Sequence, residues 1–179
     1  MPQIEPRAEY DRLAKVFHWL TFGLVIVQFA IAWIMPAVGN ESQPNGLLSW
    51  HFSLGILIFM VLVLRSLWRL TYDPPSPSPS VPRWMQKIPQ AVHLLLYAVL
   101  LVLPLIGWID AASRGWSVSL FGVLPTPQIF FGRSSTTALW GDIHIALAIL
   151  LLILISLHIA GVIYHQLVTK ECILFRMLP

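Results

Sequence analysis

Four long apolar segments separated by polar connectors dominate the chain. They cover about 16–35, 47–67, 88–112 and 140–167. Each reaches the length of about 20 residues that an α-helix needs to cross a bilayer core. The connector at 71–83 is so rich in proline that it favours an extended loop. The pattern predicts an all-α fold, an integral membrane four-helix bundle that forms a single domain over 1–179.

Composition supports a membrane protein. Hydrophobic residues make up 57% of the chain and charged residues 11%, which leaves too little polar surface for an ordinary soluble domain. The net charge of +3 would suit an anionic partner, but the basic residues cluster at the ends of the apolar segments, so we expect contact with lipid and no nucleic acid. Cys172 is the single cysteine, which excludes an internal disulfide and covalent haem attachment through CxxCH.

The basic residues also predict an orientation. Of the 11 lysines and arginines, all except Arg114 and Arg133 fall on the side of the termini. Cytoplasmic connectors carry such an excess, so both termini and the proline-rich loop are predicted to be cytoplasmic. The first segment is longer than the core of a signal peptide and contains His18, so we interpret it as a retained helix.

Three of the six histidines lie on the fourth segment. At about 100° per residue, His144, His158 and His165 fall along one stripe of a helix. The first two are about 21 Å apart along its axis. One helix therefore presents imidazoles at two depths of the membrane.

The predicted topology pairs the histidines by depth. His18 and His158 lie towards the cytoplasm, whereas His51 and His144 lie towards the outer face. Two further histidines, His93 and His165, fall nearer the cytoplasmic surface. Depth alone does not exclude His93 as the ligand on the cytoplasmic side.

Paired imidazoles from different helices, without a carboxylate or thiolate, fit a haem with two axial histidines. A zinc site would need four ligands. The competing interpretation is that each histidine is an ordinary interfacial residue, although His158 lies deep in its span, where an ionisable group usually has a function. Gly23, Gly55 and Gly161 each follow a histidine by about one turn. They would admit a flat macrocycle or simply allow close helix packing.

Several stretches resemble the bacterial cytochrome b561 family, which is related to the b-type cytochrome subunits of nickel-iron hydrogenases and formate dehydrogenases. They are HW at 18–19, WHFSLG at 50–55, RSLWRL at 65–70, VHLLLYAVLLVLPLIGW at 92–108, RGWSVSLFG at 114–122 and the histidines at 144, 158 and 165. The resemblance implies two b haems, one held by His18 and His158 and the other by His51 and His144. It also implies a multi-pass protein of the bacterial inner membrane.

A haem with two axial histidines has no free iron position, which favours electron transfer over oxygen chemistry. On the cytoplasmic side, His93 and His165 are candidates for a quinone site, with ubiquinone as the acceptor, or alternatively contact haem propionates or the interface. On the outer side, the similar family includes a superoxide oxidase. Arg114 would attract that anion as a catalytic residue, or would simply pair with Asp110.

We therefore expect a di-haem cytochrome that carries electrons between the quinone pool and a periplasmic donor, either superoxide or a redox protein. One rival is a membrane-anchor subunit that serves a hydrogenase or dehydrogenase partner. Another is a histidine-lined carrier without haem, although the chain has no clear internal repeat of the kind that many carriers contain.

Overall fold

The computed structural model describes residues 10–39, 42–71, 83–127, 135–168 and 173–178. The proline-rich loop, apart from its two end residues, and Cys172 lie outside the described residues. Thr71 and Arg83, predicted as the ends of that loop, instead belong to helices.

The described chain is helical apart from its connectors and one small hairpin. Four helices are long and apolar enough to cross a membrane, so the predicted all-α membrane bundle is confirmed. They extend beyond most of the predicted spans because polar residues continue the helices past the apolar segments. The elements in chain order are α1 (Arg12–Ile34), α2 (Gly46–Thr71), α3 (Arg83–Ser113), β1 (Ser119–Leu120), β2 (Leu124–Pro125), α4 (Thr137–Leu167) and α5 (Ile173–Met177).

Local chemistry explains the bounds of α1. The Asp11 carboxylate accepts a hydrogen bond of 3.1 Å from the Leu13 amide, which satisfies one of the amides left free at a helix start. The helix ends at Ile34, and the backbone of Met35, which follows, is extended. Pro36 follows, and a residue before proline avoids helical geometry.

Neighbouring helices pack in chain order, α1 on α2, α2 on α3 and α3 on α4. Among the described residues, α4 makes no comparable backbone approach to α1 or α2. A central apolar cluster of Val99, Leu151 and Leu154 is joined by Phe29 from α1. Side chains therefore bridge the space between α1 and α4 where the backbones stand apart.

The bundle has two ends, which differ in the elements that they contain. The terminal end contains the start of α1 and the end of α4, and α5 lies there because the Trp19 indole Nε1 donates to the Met177 carbonyl at 2.7 Å. The connector end contains the start of α4 and the hairpin of β1 and β2. Ser53 holds that hairpin against α2, since its buried hydroxyl accepts a hydrogen bond of 2.8 Å from the Phe121 amide.

Candidate functional site

His51 on α2 and His144 on α4 meet at the connector end. Their ring centroids are 6.1 Å apart, with an angle of 73° between the ring planes. The Nδ1 atoms of both rings are buried and have no hydrogen-bond partner within the described part of the chain. Buried polar atoms are almost always partnered in native proteins, so this pair indicates a site that another group completes.

Gly107 of α3 sets the position of the His144 ring. A Cβ built on Gly107 would lie 2.9 Å from Cε1 and 3.1 Å from Nδ1 of His144. Only a residue without a side chain permits this approach of ring to backbone. The sequence alone does not single out Gly107, because a glycine inside an apolar helix is also typical of plain helix packing.

Three histidines meet at the terminal end. The His18 and His158 ring centroids are 6.2 Å apart, and His93 lies closer still to His158, at 5.0 Å. The three side chains come from three different helices: His18 from α1, His93 from α3 and His158 from α4. The histidines that pair by depth in the sequence are therefore also neighbours in space.

The two pairs have the spacing that an iron atom between two imidazoles requires. With iron–nitrogen bonds of about 2 Å and ring centres about 1.1 Å behind the nitrogens, coaxial rings would have centroids about 6.3 Å apart. The pairs His18–His158 and His51–His144 match this separation at 6.2 and 6.1 Å. The His93–His158 separation of 5.0 Å is too short. The residues present thus fit haem at both ends.

The surroundings of the pairs suit a flat group of this kind. Gly23 and Gly161 face open space, since a Cβ at either position would meet no atom within 4 Å. A Cβ at Gly55 would make only an ordinary contact with the Gln28 side chain at 3.6 Å. No group of three or more histidine, cysteine, aspartate or glutamate side chains with the geometry to hold a metal ion occurs in the described ranges.

Arg65 of α2 lies beside the terminal-end pair. Its Nη2 is 3.2 Å from Nδ1 of His18, and its guanidinium carbon lies 5.2 Å from the centre of the Tyr97 ring. In the sequence, Arg65 stands out only as one of the basic residues that predict the orientation in the membrane. The contact with His18 depends on how α1 and α2 are rotated against each other, which periodicity in a single helix does not reveal.

Arg114, the candidate catalytic residue, follows α3 at the connector end and forms a salt bridge with Asp110. Its Nε lies 3.1 Å from Oδ1 of Asp110, and the side chains are 12% and 17% exposed. The guanidinium carbon also lies 5.3 Å from the centre of the Trp116 ring. The predicted pairing of these two residues is confirmed. Arg114 retains a small exposed fraction at the end where His144 lies.

His165, a candidate for the quinone site with His93, lies at the end of α4. Its ring contacts that of Tyr164 at 5.8 Å in an edge arrangement. At about 1.5 Å per residue it is about 10 Å along the helix from His158, towards the terminal end. The two candidates therefore lie at the same end of the bundle, with His93 against His158 and His165 further out.

Known proteins match nearly the whole chain. Residues 9–179 match the family described as prokaryotic cytochrome b561. Cytochrome b561 homolog 2 of Escherichia coli (strain K12) is 29% identical over 170 residues, which cover 94% of this chain and 90% of that protein. A probable superoxide oxidase CybB of Yersinia pestis is 29% identical over 177 residues, 96% of each chain. The chain therefore belongs to the prokaryotic cytochrome b561 family, membrane proteins of the bacterial inner membrane that bind haem b and carry electrons.

Proposed function

We propose that this protein carries electrons across the inner membrane through two b haems, one held by His18 and His158 and the other by His51 and His144. The observation that supports this best is the pair of imidazole separations, 6.2 and 6.1 Å, at opposite ends of α4. When bound, haem b would supply a one-electron redox couple, and the two histidines of each pair would hold it.

Apolar side chains fill the space between the two histidine pairs, along the proposed path of the electron. Leu151, seven residues from both His144 and His158, is 2% exposed and packs with Val99 and Leu154. Phe29 closes this cluster from the side of α1. Such an apolar layer excludes water and ions, whereas an electron can cross it by tunnelling. The protein thus separates electron transfer from ion leakage.

We place the terminal end in the cytoplasm, because nine of the 11 basic residues belong to that side. The acceptor proposed there is ubiquinone. His93 and His165 can donate hydrogen bonds to a quinone carbonyl and pass on protons, because even a neutral imidazole carries one N–H donor. The proximity of His93 to His158 supports this role, because the acceptor must approach the haem that reduces it.

The donor proposed at the periplasmic connector end is superoxide, in keeping with the printed name of the Yersinia relative. Two superoxide ions each give up one electron and become oxygen, while one ubiquinone takes both electrons and two protons to become ubiquinol. Arg114 would draw the anion to this end. Because Asp110 neutralises much of its charge, we expect a modest steering effect.

Haem analysis of single variants tests the ligand pairs. The purified parent should contain about two b haems per chain by pyridine haemochrome. His158→Ala should lose the terminal-end haem and keep the other, and His144→Ala should do the reverse. The two haems are distinguished by redox titration. A parent without haem, or variants that both keep two haems, would refute the ligand assignment.

Turnover of defined substrates tests the donor and acceptor. Superoxide supplied to the purified cytochrome with a soluble ubiquinone analogue should be consumed in a ratio of two superoxide ions per quinol formed. The His144→Ala variant is the matched control, since it keeps a haem but lacks the one nearest the donor. Superoxide loss at the rate of the protein-free solution would refute superoxide as the donor and leave a redox protein in that role.

A further inference from the structure

Arg65 is a cation inside a membrane span without a counter-ion in the described part of the chain. It is half-buried in α2, and the polar group that it contacts there is the imidazole of His18, at 3.2 Å. The Tyr97 ring offers a cation–π contact at 5.2 Å. Arg65 lies near the end of its span, but a half-buried charge that points at His18 and lacks a counter-ion among the described residues still calls for a partner.

The contact between Arg65 and His18 cannot coexist with iron binding by His18. Arginine carries only donors, so Nη2 needs the lone pair of Nδ1, and the neutral ring then carries its proton on Nε2. If His18 binds iron through Nε2, the proton must move to Nδ1, which no longer accepts. If it binds through Nδ1, the lone pair is taken by the metal. In either case Arg65 loses its acceptor when the site is filled.

Haem b carries two propionate groups, and a carboxylate is the partner that a guanidinium binds best, through two parallel hydrogen bonds. A further unmet donor lies one turn along α2, where Nε1 of Trp68 is buried with no acceptor among the described residues. We propose that Arg65 leaves His18 on haem binding and anchors a propionate of the terminal-end haem, so that it acts as a positioning residue. This inference rests on the proposed function.

The proposal also predicts an electrostatic effect. Ferric haem carries one more positive charge than ferrous haem, so a nearby guanidinium disfavours the ferric form. Arg65 should therefore hold the midpoint potential of the terminal-end haem above the value that the site would have without it. The haem at the connector end is about 21 Å away along α4 and should be affected much less.

Reconstitution of the haem-depleted full-length protein tests the anchor directly. The parent, Arg65→Gln, Arg65→Lys and the control Arg69→Gln are titrated with haem b and with haem b dimethyl ester, whose propionates cannot form an ion pair. Arg69 is the exposed arginine one turn further along α2. Arg65→Gln should bind haem b about 10- to 100-fold more weakly at the terminal-end site and should lower its potential. The dimethyl ester should bind the parent no more tightly than it binds Arg65→Gln, because it offers Arg65 no carboxylate in exchange for the lost contact with His18.

Arg65→Lys should give intermediate affinity, because lysine keeps the charge but not the two-pronged geometry. Three results would overturn the anchor: unchanged haem b affinity and potential in Arg65→Gln, an equal loss of affinity for haem b and its ester, or an equal loss in Arg69→Gln. These comparisons apply when the parent protein binds haem at the terminal end. A parent that binds none there would instead refute the proposed function, and the anchor with it.

Discussion

Replacing Gly107 by alanine should weaken the binding of the haem proposed at the connector end while leaving the other proposed haem in place. The added Cβ would lie 2.9 Å from Cε1 of His144, well inside the contact distance of about 3.5 Å at which carbon atoms attract. The ring must therefore move by about 0.5 Å or more. Alanine is the better helix former by up to about 1 kcal/mol, so helix propensity alone would stabilise α3, and any loss comes from the clash.

We expect the displaced imidazole to weaken haem binding at this end by about 10- to 100-fold, the range seen when groups that orient a metal ligand are changed. The loss of haem at this end is measured by haem content, by redox titration and by the low-spin ferric EPR signals of the two haems. The haem of His18 and His158 is the internal control. Gly39→Ala is the external control, since Gly39 lies in the connector after α1 and its Cβ would meet nothing within 4 Å of the protein. Two haems with parental affinity and EPR signals in Gly107→Ala would refute the argument.

The other predictions concern the two ends of the bundle. His165→Ala should keep both haems and slow quinone reduction, measured by stopped flow, and parental kinetics would exclude it from the quinone site. Arg114→Gln should slow superoxide consumption several-fold and reduce its dependence on ionic strength; an unchanged rate and salt dependence would exclude steering. Ser53→Ala should leave the Phe121 amide unpartnered, at a cost of about 1–3 kcal/mol, and speed its hydrogen exchange. The control is Ser156→Ala, an exposed serine whose hydroxyl donates only to its own helix.

Features encoded within one helix could be predicted from the sequence, and features between helices could not. The spans followed from apolar length, and the salt bridge of Asp110 and Arg114 from their spacing of four residues. By contrast, the approach of Gly107 to His144 joins two helices whose relative rotation no periodicity records. The same holds for Arg65 and His18. The membrane depth predicted from the sequence could not decide whether His93 is a haem ligand or only a neighbour of His158. The distance of 5.0 Å between their ring centroids favours a neighbour.

The arrangement of the ligands has a consequence for stability. His18 and His51 belong to the packed pair of α1 and α2, whereas His144 and His158 both belong to α4, which packs on α3. Each proposed haem therefore joins α4 to the first helix pair, across the space that the backbones leave open. Removing one haem leaves the other link intact, but removing both leaves only protein contacts between the two helix pairs, among them α2 on α3, the cluster around Phe29 and the hydrogen bond from Trp19 to Met177.

We therefore expect the two losses to be more than additive. Residues that act through a shared structural unit show coupling energies of about 0.5–3 kcal/mol, and haem binding stabilises the folded state by linkage. Thermal unfolding in detergent, followed by tryptophan fluorescence, compares His144→Ala, His158→Ala and the double variant at one protein concentration. If the double variant loses only the sum of the two single losses, the haems stabilise their sites independently. Each haem would then stabilise only its own site, and contacts between side chains, such as the packing of α2 on α3, would hold the two helix pairs together.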